Sequence, residues 1–377
     1  MIKSYFHRND STSDLKQPVE PPSSLEKFLK RSWPLLAGGA VLILVVCGFL
    51  YNYAVSGKAR KETDQPPPDP QTQTTTTVST VAARALDGMP VSPEEAKLQP
   101  YAVMVENSPD ARPLMGPADA NLVVEAPVEG GITRFMLVFD ATSTASQIGP
   151  VRSARPYYVE LATALNAVYA HVGGSQEALD DIHAATGFRD LDQFSNGKSF
   201  WRSTKRSAPH NVFTSMDDLR AADGAKGWSD GSVTSWRYLS PTDATGTGDV
   251  KEIDIPYGGV FDVTWTYDKD TNGYARLQDG ATQRDADGTA VTSTNVVILL
   301  TDSQVLDDVG RLKVRTTGSG KAWLFRDGKR FDITWRRLAG SWFTFEATDG
   351  NDALFRPGKT WISIVTSASM APAPKAE

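Results

Sequence analysis

Charged and hydrogen-bonding side chains gather where the apolar runs of residues 97–227 end. Glu106 and Asn107 close the run YAVMVEN, and Glu125 and Glu129 bracket the end of NLVVEAP, ahead of Gly130-Gly131. Arg152 and Arg155 stand just before Pro156, a residue that suits the first position of a helix. A helix N-terminus presents unpaired N–H groups and partial positive charge, so two arginines beside it suit a phosphate or carboxylate. The same arginines could instead pair with the nearby glutamates and close the fold. From Gln193 to Met216 there is no acidic residue, yet Lys198, Arg202, Lys205 and Arg206 lie there, interleaved with Phe200 and Trp201. Arginines beside an aromatic suit a sugar ring that carries negative groups. Histidine is the side chain suited to proton transfer at neutral pH. His210, in a Pro-His-Asn turn, and His171, just before Gly173-Gly174, are the candidates here.

The elements that must position these residues read as alternating strands and helices. Strands are expected at 101–107, 121–127, 132–140 and 167–174. ITRFMLVFD is apolar on both faces, which predicts a central strand. Helices are expected from Pro156, with Tyr158, Leu161, Leu165 and Val168 at helical spacing, and from Ser175. A third should open at the capping box Ser215-x-x-Asp218. This predicts an α/β domain over 97–227. Residues 228–368 predict a mostly-β domain, with turn signals such as RDGK and TDGND between short apolar runs. Seven of the nine tryptophans lie in this second region, where core packing is expected before a carbohydrate platform. Asp268, Asp270 and Asn272, with Asp279 further on, approach the spacing of a calcium loop. Their flanks are strands and Asn272-Gly273 is a hairpin pair, so a turn is expected and no metal is assigned.

From Ser32 to Gly57 there is no charged residue, and the centre reads LLAGGAVLILVVCGFL. About 20 apolar residues span a bilayer as a helix, so 32–57 predicts a transmembrane helix with residues 33–55 in the lipid. Six cations precede this run and three follow it closely (Lys58, Arg60, Lys61). That bias puts the tail 1–31 in the cytoplasm and the rest outside, a single-pass membrane protein. Cys47 sits in a distorted lipobox, Leu44-Val45-Val46-Cys47, with Val46 in place of a small residue. An unmodified membrane cysteine is therefore expected. Residues 58–96 hold QPPPDPQTQTTTTVST and read as a disordered linker, and 369–377 as a frayed tail.

Lys+Arg 39 against Asp+Glu 45 gives a net charge of −6, which argues against nucleic acid as a partner. One cysteine excludes an internal disulfide, and four histidines make a multi-His metal cage improbable. No phosphate loop, dinucleotide fingerprint or Gly-x-Ser-x-Gly motif is present, so no cofactor is implied.

YAVMVENSPDARP, EGGITRFMLVF, IGPVRSARPYY, HVGGSQEAL and RSAPHNVFTS resemble the YerB-like family of bacterial envelope proteins. GRLKVRTTGSGKAWLFRDGKRFDITWRR and RPGKTWISIV resemble that family's C-terminal part, so the likeness covers roughly 97–367. The resemblance implies anchoring outside the cytoplasmic membrane, commonly as a lipoprotein, from which the poor lipobox departs. It carries no settled activity. The residues matching its motifs are Glu106, Asn107, Arg112, Glu129, Arg134, Arg152, Arg155, His171, Arg202, His210 and Asn211.

The expected function is binding of an anionic cell-wall polymer, glycan or envelope protein through an Arg/Glu/His cleft. Glu106, Asn107, Arg112, Arg134, Arg152, Arg155, His171, Trp201, Arg202, Arg206 and Asn211 would contact the ligand. The alternative is a hydrolase acting on an envelope polymer, with Glu129 and His210 as acid–base pair. A scaffold that recruits an envelope enzyme through the β-rich region is a third reading.

Overall fold

The computed structural model describes residues 81–376 apart from 229–232, 241 and 244–247. The expected cytoplasmic tail, transmembrane helix, bilayer contact and Cys47 lie outside the described residues. Among the described residues, no helix is long and apolar enough to cross a membrane.

The strands of the main sheet are β1 (Tyr101–Glu106), β2 (Leu122–Pro127), β3 (Thr133–Phe139), β4 (Val168–His171) and β5 (Arg189–Asp192). A second sheet is built on β6 (Val250–Ile255), β7 (Val263–Asp268) and β8 (Gly273–Gln278). Then follow β9 (Asn295–Leu300), β10 (Gly318–Arg326), β11 (Lys329–Arg337), β12 (Thr344–Ala347), β13 (Thr360–Val365) and β14 (Ala373–Ala376). Three α-helices stand among the described residues: α1 (Pro156–Ala164), α2 (Gln176–Ala184) and α3 (Met216–Lys226).

The expected fold class, α/β over the first region with a mostly-β second region, is corrected. The described residues are mostly β, 16% helical, and one ten-stranded sheet draws strands from both regions. Its order is β12-β11-β10-β9-β13-β2-β3-β1-β4-β5. The junction is β13, which lies parallel to β9 on one side and to β2 on the other. NVVILL, TWISIV and LVVEAP are apolar on both faces, and such strands are stable only inside a sheet covered on both sides. Each run announces an interior strand, but pairing across some 240 residues has no local sequence signal.

β3 is central as expected, between β2 and β1, with Phe135 to Phe139 fully buried. One face packs on α1 and α2 through Met104, Met136, Val138, Tyr158, Leu161 and Ile182. The opposite face packs on α3 and the second sheet through Phe135, Leu137, Leu219, Ile253, Trp265 and Trp361. The Trp265 and Trp361 rings meet edge-on at 5.3 Å, and both are fully buried with Trp335. These three are core, not a carbohydrate platform.

Local signals were mostly obeyed. Ser175 and Ser215 accept from Ala178 N and Asp218 N, capping α2 and α3. Asn166, at φ +51°, ends the run of α1 after its C-cap Leu165, so Val168 opens β4 instead of prolonging the helix. Two segments expected to be unstructured are folded. Within the expected linker, Ala82–Ala83 pairs with Pro90–Val91, and buried Asp87 accepts from Arg84 and Asn121. The expected tail contributes β14, an edge strand on β6, where Lys375 reaches Glu252 at 3.2 Å and Asp254 at 2.6 Å.

Candidate functional site

Strand alternation decides the site. β1 and β2 end, and β3 begins, at one edge of the core, where Glu106 is in register with Arg134 and Glu125 with Phe135. Successive side chains point to opposite faces, so Glu106 and Arg134 emerge on the α1 face. Glu125 and Phe135 emerge on the face of the second sheet.

On the α1 face six predicted residues converge. Arg155, the N-cap of α1, donates from Nε to Glu129 Oε2 at 3.0 Å and from a terminal nitrogen to Glu129 Oε1. Arg134 lies 3.5 Å from the same carboxylate and donates to Ser153 O at 2.9 Å. Burial pushes the Glu129 carboxyl up, but Arg155 and Arg134 outweigh it and hold it below the ordinary carboxylate range. Burial and the neighbouring Arg155 depress the Arg134 guanidinium. Next to this group, Glu106 accepts from Ser108 Oγ at 3.0 Å, meets His210 Nδ1 at 2.8 Å and lies 3.4 Å from Arg152 Nε. The segment carrying Arg152 is bound to β1, Arg152 N donating to Met104 O. Arg152 also donates to Pro209 O at 3.2 Å, which ties it to the turn of His210. Three guanidiniums and an imidazole thus face two carboxylates. Glu129, Arg152 and His210 keep 26, 23 and 23% of their side chains exposed, so solvent reaches the cluster.

The remaining predicted residues divide. Trp201, 37% exposed, stacks on Phe213 at 6.3 Å, in the short ladder that pairs Trp201–Arg202 with Val212–Phe213. Arg202 donates to Asn211 Oδ1 at 2.9 Å beside it. Arg206 is spent on backbone, donating to Ala111 O and Pro113 O, both at 2.5 Å. His171 is fully buried, with Nδ1 2.8 Å from Gly173 O and Nε2 2.8 Å from Asp190 Oδ1, so it has no face for a ligand. Asn107 and Arg112 belong to the other face. Asn107 donates to Thr133 Oγ1, and Arg112 donates to Asn107 O. The calcium-like residues do not converge. Asp268 and Asn272 flank a hairpin turn, where Asp268 accepts from Asp270 N, while Asp279 lies past the far end of β8. Among the described residues no group of three or more His, Cys, Asp or Glu could hold a metal.

On the second-sheet face sits a group that sequence reasoning missed. Arg276 of β8 donates from one terminal nitrogen to both Glu125 oxygens, at 3.0 and 2.9 Å, with both side chains fully buried. Trp361 Nε1 and Thr133 Oγ1 donate to the same carboxylate at 3.1 and 2.9 Å. The guanidinium lies 4.8 Å from the Trp361 ring and 5.4 Å from the Phe135 ring. A signal was present in the sequence. Tyr274, Arg276 and Gln278 alternate with Ala275 and Leu277, so an aromatic on one strand face implied that its polar neighbours share the core.

Models for "protein of unknown function (DUF3048)" match residues 86–229 with its N-terminal domain and residues 253–362 with its C-terminal domain. A Bacillus subtilis (strain 168) protein named "Putative lipoprotein YerB" is 33% identical over 298 residues, covering 78% of this chain and 88% of that protein. The chain belongs to the YerB-like family. The crystal structure of YerB from Bacillus subtilis superposes with a TM-score of 0.70 at 29% identity, covering 78% of this chain and 99% of that one. The two family regions share the ten-stranded sheet, and the α1-face cluster lies wholly in the first of them.

Proposed function

We propose that this chain is a membrane-anchored, outward-facing envelope protein that binds an anionic group of a wall polymer or envelope partner at the α1-face cluster. The observation that supports this most is the charge count: Arg134, Arg152 and Arg155 outnumber Glu106 and Glu129 in a solvent-reached cluster. Arg152 is the most exposed of the three, at 23% against 6% for Arg134 and 10% for Arg155. Trp201 and Arg202 extend the surface with an exposed aromatic face. The lipoprotein name of the Bacillus relative supports the location.

The hydrolytic alternative is weaker on geometry. Glu129 is held as an ionised carboxylate by two arginines, which suits anchoring and not proton transfer.

The test is co-sedimentation of the full chain, in detergent, with purified wall sacculi. Wild type should sediment. Arg152→Ala should bind about tenfold more weakly at low salt, the scale of one charge-assisted hydrogen bond, and the gap should shrink as salt rises. Failure of the wild type to sediment would end this reading. Added protease should degrade residues 81–377 in intact cells; full protection would contradict the outward placement.

A further inference from the structure

A second polar site lies on the other side of the sheet and does not depend on the cluster just described. A cleft of about 430 Å³ opens between the loop of Arg112 and Leu114 and the end of β8, where Gln278, Asp279, Gln283 and Arg284 line it. Arg276 stands behind its wall. Its other terminal nitrogen donates to Gln278 Oε1 at 3.0 Å and to Gln283 Oε1. A guanidinium only donates, so it draws both carboxamide oxygens towards itself and leaves both NH₂ groups pointing away. Gln278 is 5% exposed, and its Nε2 has no hydrogen-bond partner.

Arg112 repeats this arrangement. Its terminal nitrogens donate to Val260 O at 3.2 Å and Asn107 O at 2.9 Å, while its buried Nε is unpaired. The Phe261 ring backs the guanidinium at 5.4 Å. Both residues line the one cleft, and each holds a buried donor without an acceptor. Such donors are expensive to leave unmet, and a ligand oxygen would satisfy them. Arg112 and Arg284 against Asp279 leave a single positive excess in the lining, which matches a monoanion better than a dianion.

We propose that this cleft binds a free carboxylate, such as the C-terminus of a short peptide, with Gln278 Nε2 and Arg112 Nε as donors and Arg284 at the mouth. The test is calorimetric titration of the full chain in detergent with N-acetyl-alanyl-alanine, and separately with inorganic phosphate. The dipeptide should bind saturably. Gln278→Leu should weaken it about tenfold, the scale of a lost hydrogen bond to a charged group. Arg284→Ala, at an exposed position that leaves folding intact, should weaken it about threefold. Arg152→Ala should leave it unchanged, which separates this site from the α1-face cluster. The proposal is overturned by no saturable dipeptide binding, by binding of phosphate alone, by unchanged affinity in both Gln278→Leu and Arg284→Ala, or by equal weakening in Arg152→Ala.

Discussion

Two groups of arginine and glutamate sit back to back at the same ends of β1, β2 and β3, and their surroundings give them different work. On the second-sheet face, Glu125 and Arg276 are sealed from solvent, and Glu125 accepts from Arg276, Trp361 and Thr133. On the α1 face, Glu129 is held by Arg134 and Arg155 and Glu106 by Arg152 and His210, in a cluster that solvent reaches. One strand residue of offset separates the two, since Glu125 and Glu106 belong to opposite faces of adjoining register positions. A sealed pair can do little except hold two sheets in one arrangement, because any unpaired member is stranded in a medium of low dielectric. A solvent-reached group with surplus cations can exchange a partner for a ligand.

The comparison breaks most visibly at the sealed pair. Glu125→Leu alone should destabilise the protein by about 3–5 kcal/mol, because Arg276 is left buried and unpaired. Glu125→Leu with Arg276→Met should recover most of that loss, and a double-mutant cycle by denaturant unfolding measures it. Equal losses in the single and double variants would show that packing, not charge, dominates there. Of similar size, Trp361→Ala should cost about 3–5 kcal/mol in the same unfolding measurement, through the cavity left between the sheets.

The open cluster should respond to pH through Glu129. The Glu129 carboxyl is depressed in the folded protein, so its contribution to stability is present above the ordinary carboxylate range and is lost as pH falls through the folded value. Glu129→Gln should flatten the decline of melting temperature below about pH 4.5, the ordinary carboxylate region. An unchanged acid limb would contradict the Arg155–Glu129 contact. The smallest effect is expected at the surface: Lys375→Ala, which breaks the contacts to Glu252 and Asp254 at the edge of β14, should leave the melting temperature close to that of wild type, because solvent screens an exposed ion pair.

What the residues announced and what they withheld follows from range. The apolar runs of β1, β2, β3 and β13, the caps of Ser175 and Ser215 and the turn at Asp327-Gly328 are local, and each was legible. The α1-face cluster was legible too, since Glu106, Glu129, Arg152 and Arg155 all flank element ends. The insertion of β13 between β9 and β2 was not, because register between distant strands is settled by tertiary packing. The same cause hid the partner of Glu125, 151 residues away. His171 illustrates the opposite error: a polar residue at a strand end looks functional until both ring nitrogens are seen to be occupied. The strand formed by residues 373–376 was missed because an alanine- and proline-rich tail has little strand propensity of its own and gains order from pairing with β6.

Wall binding is proposed for the open cluster, and the sealed Glu125–Arg276 pair is expected to hold the two sheets without touching the wall ligand. The most direct measurement is wall affinity at matched folded fraction for Arg152→Ala and for the double variant Glu125→Leu/Arg276→Met. The account predicts that Arg152→Ala loses about tenfold in affinity with its melting temperature kept, and that the folded double variant binds as wild type does. Undiminished binding by Arg152→Ala, or loss of binding in the folded double variant, would contradict it.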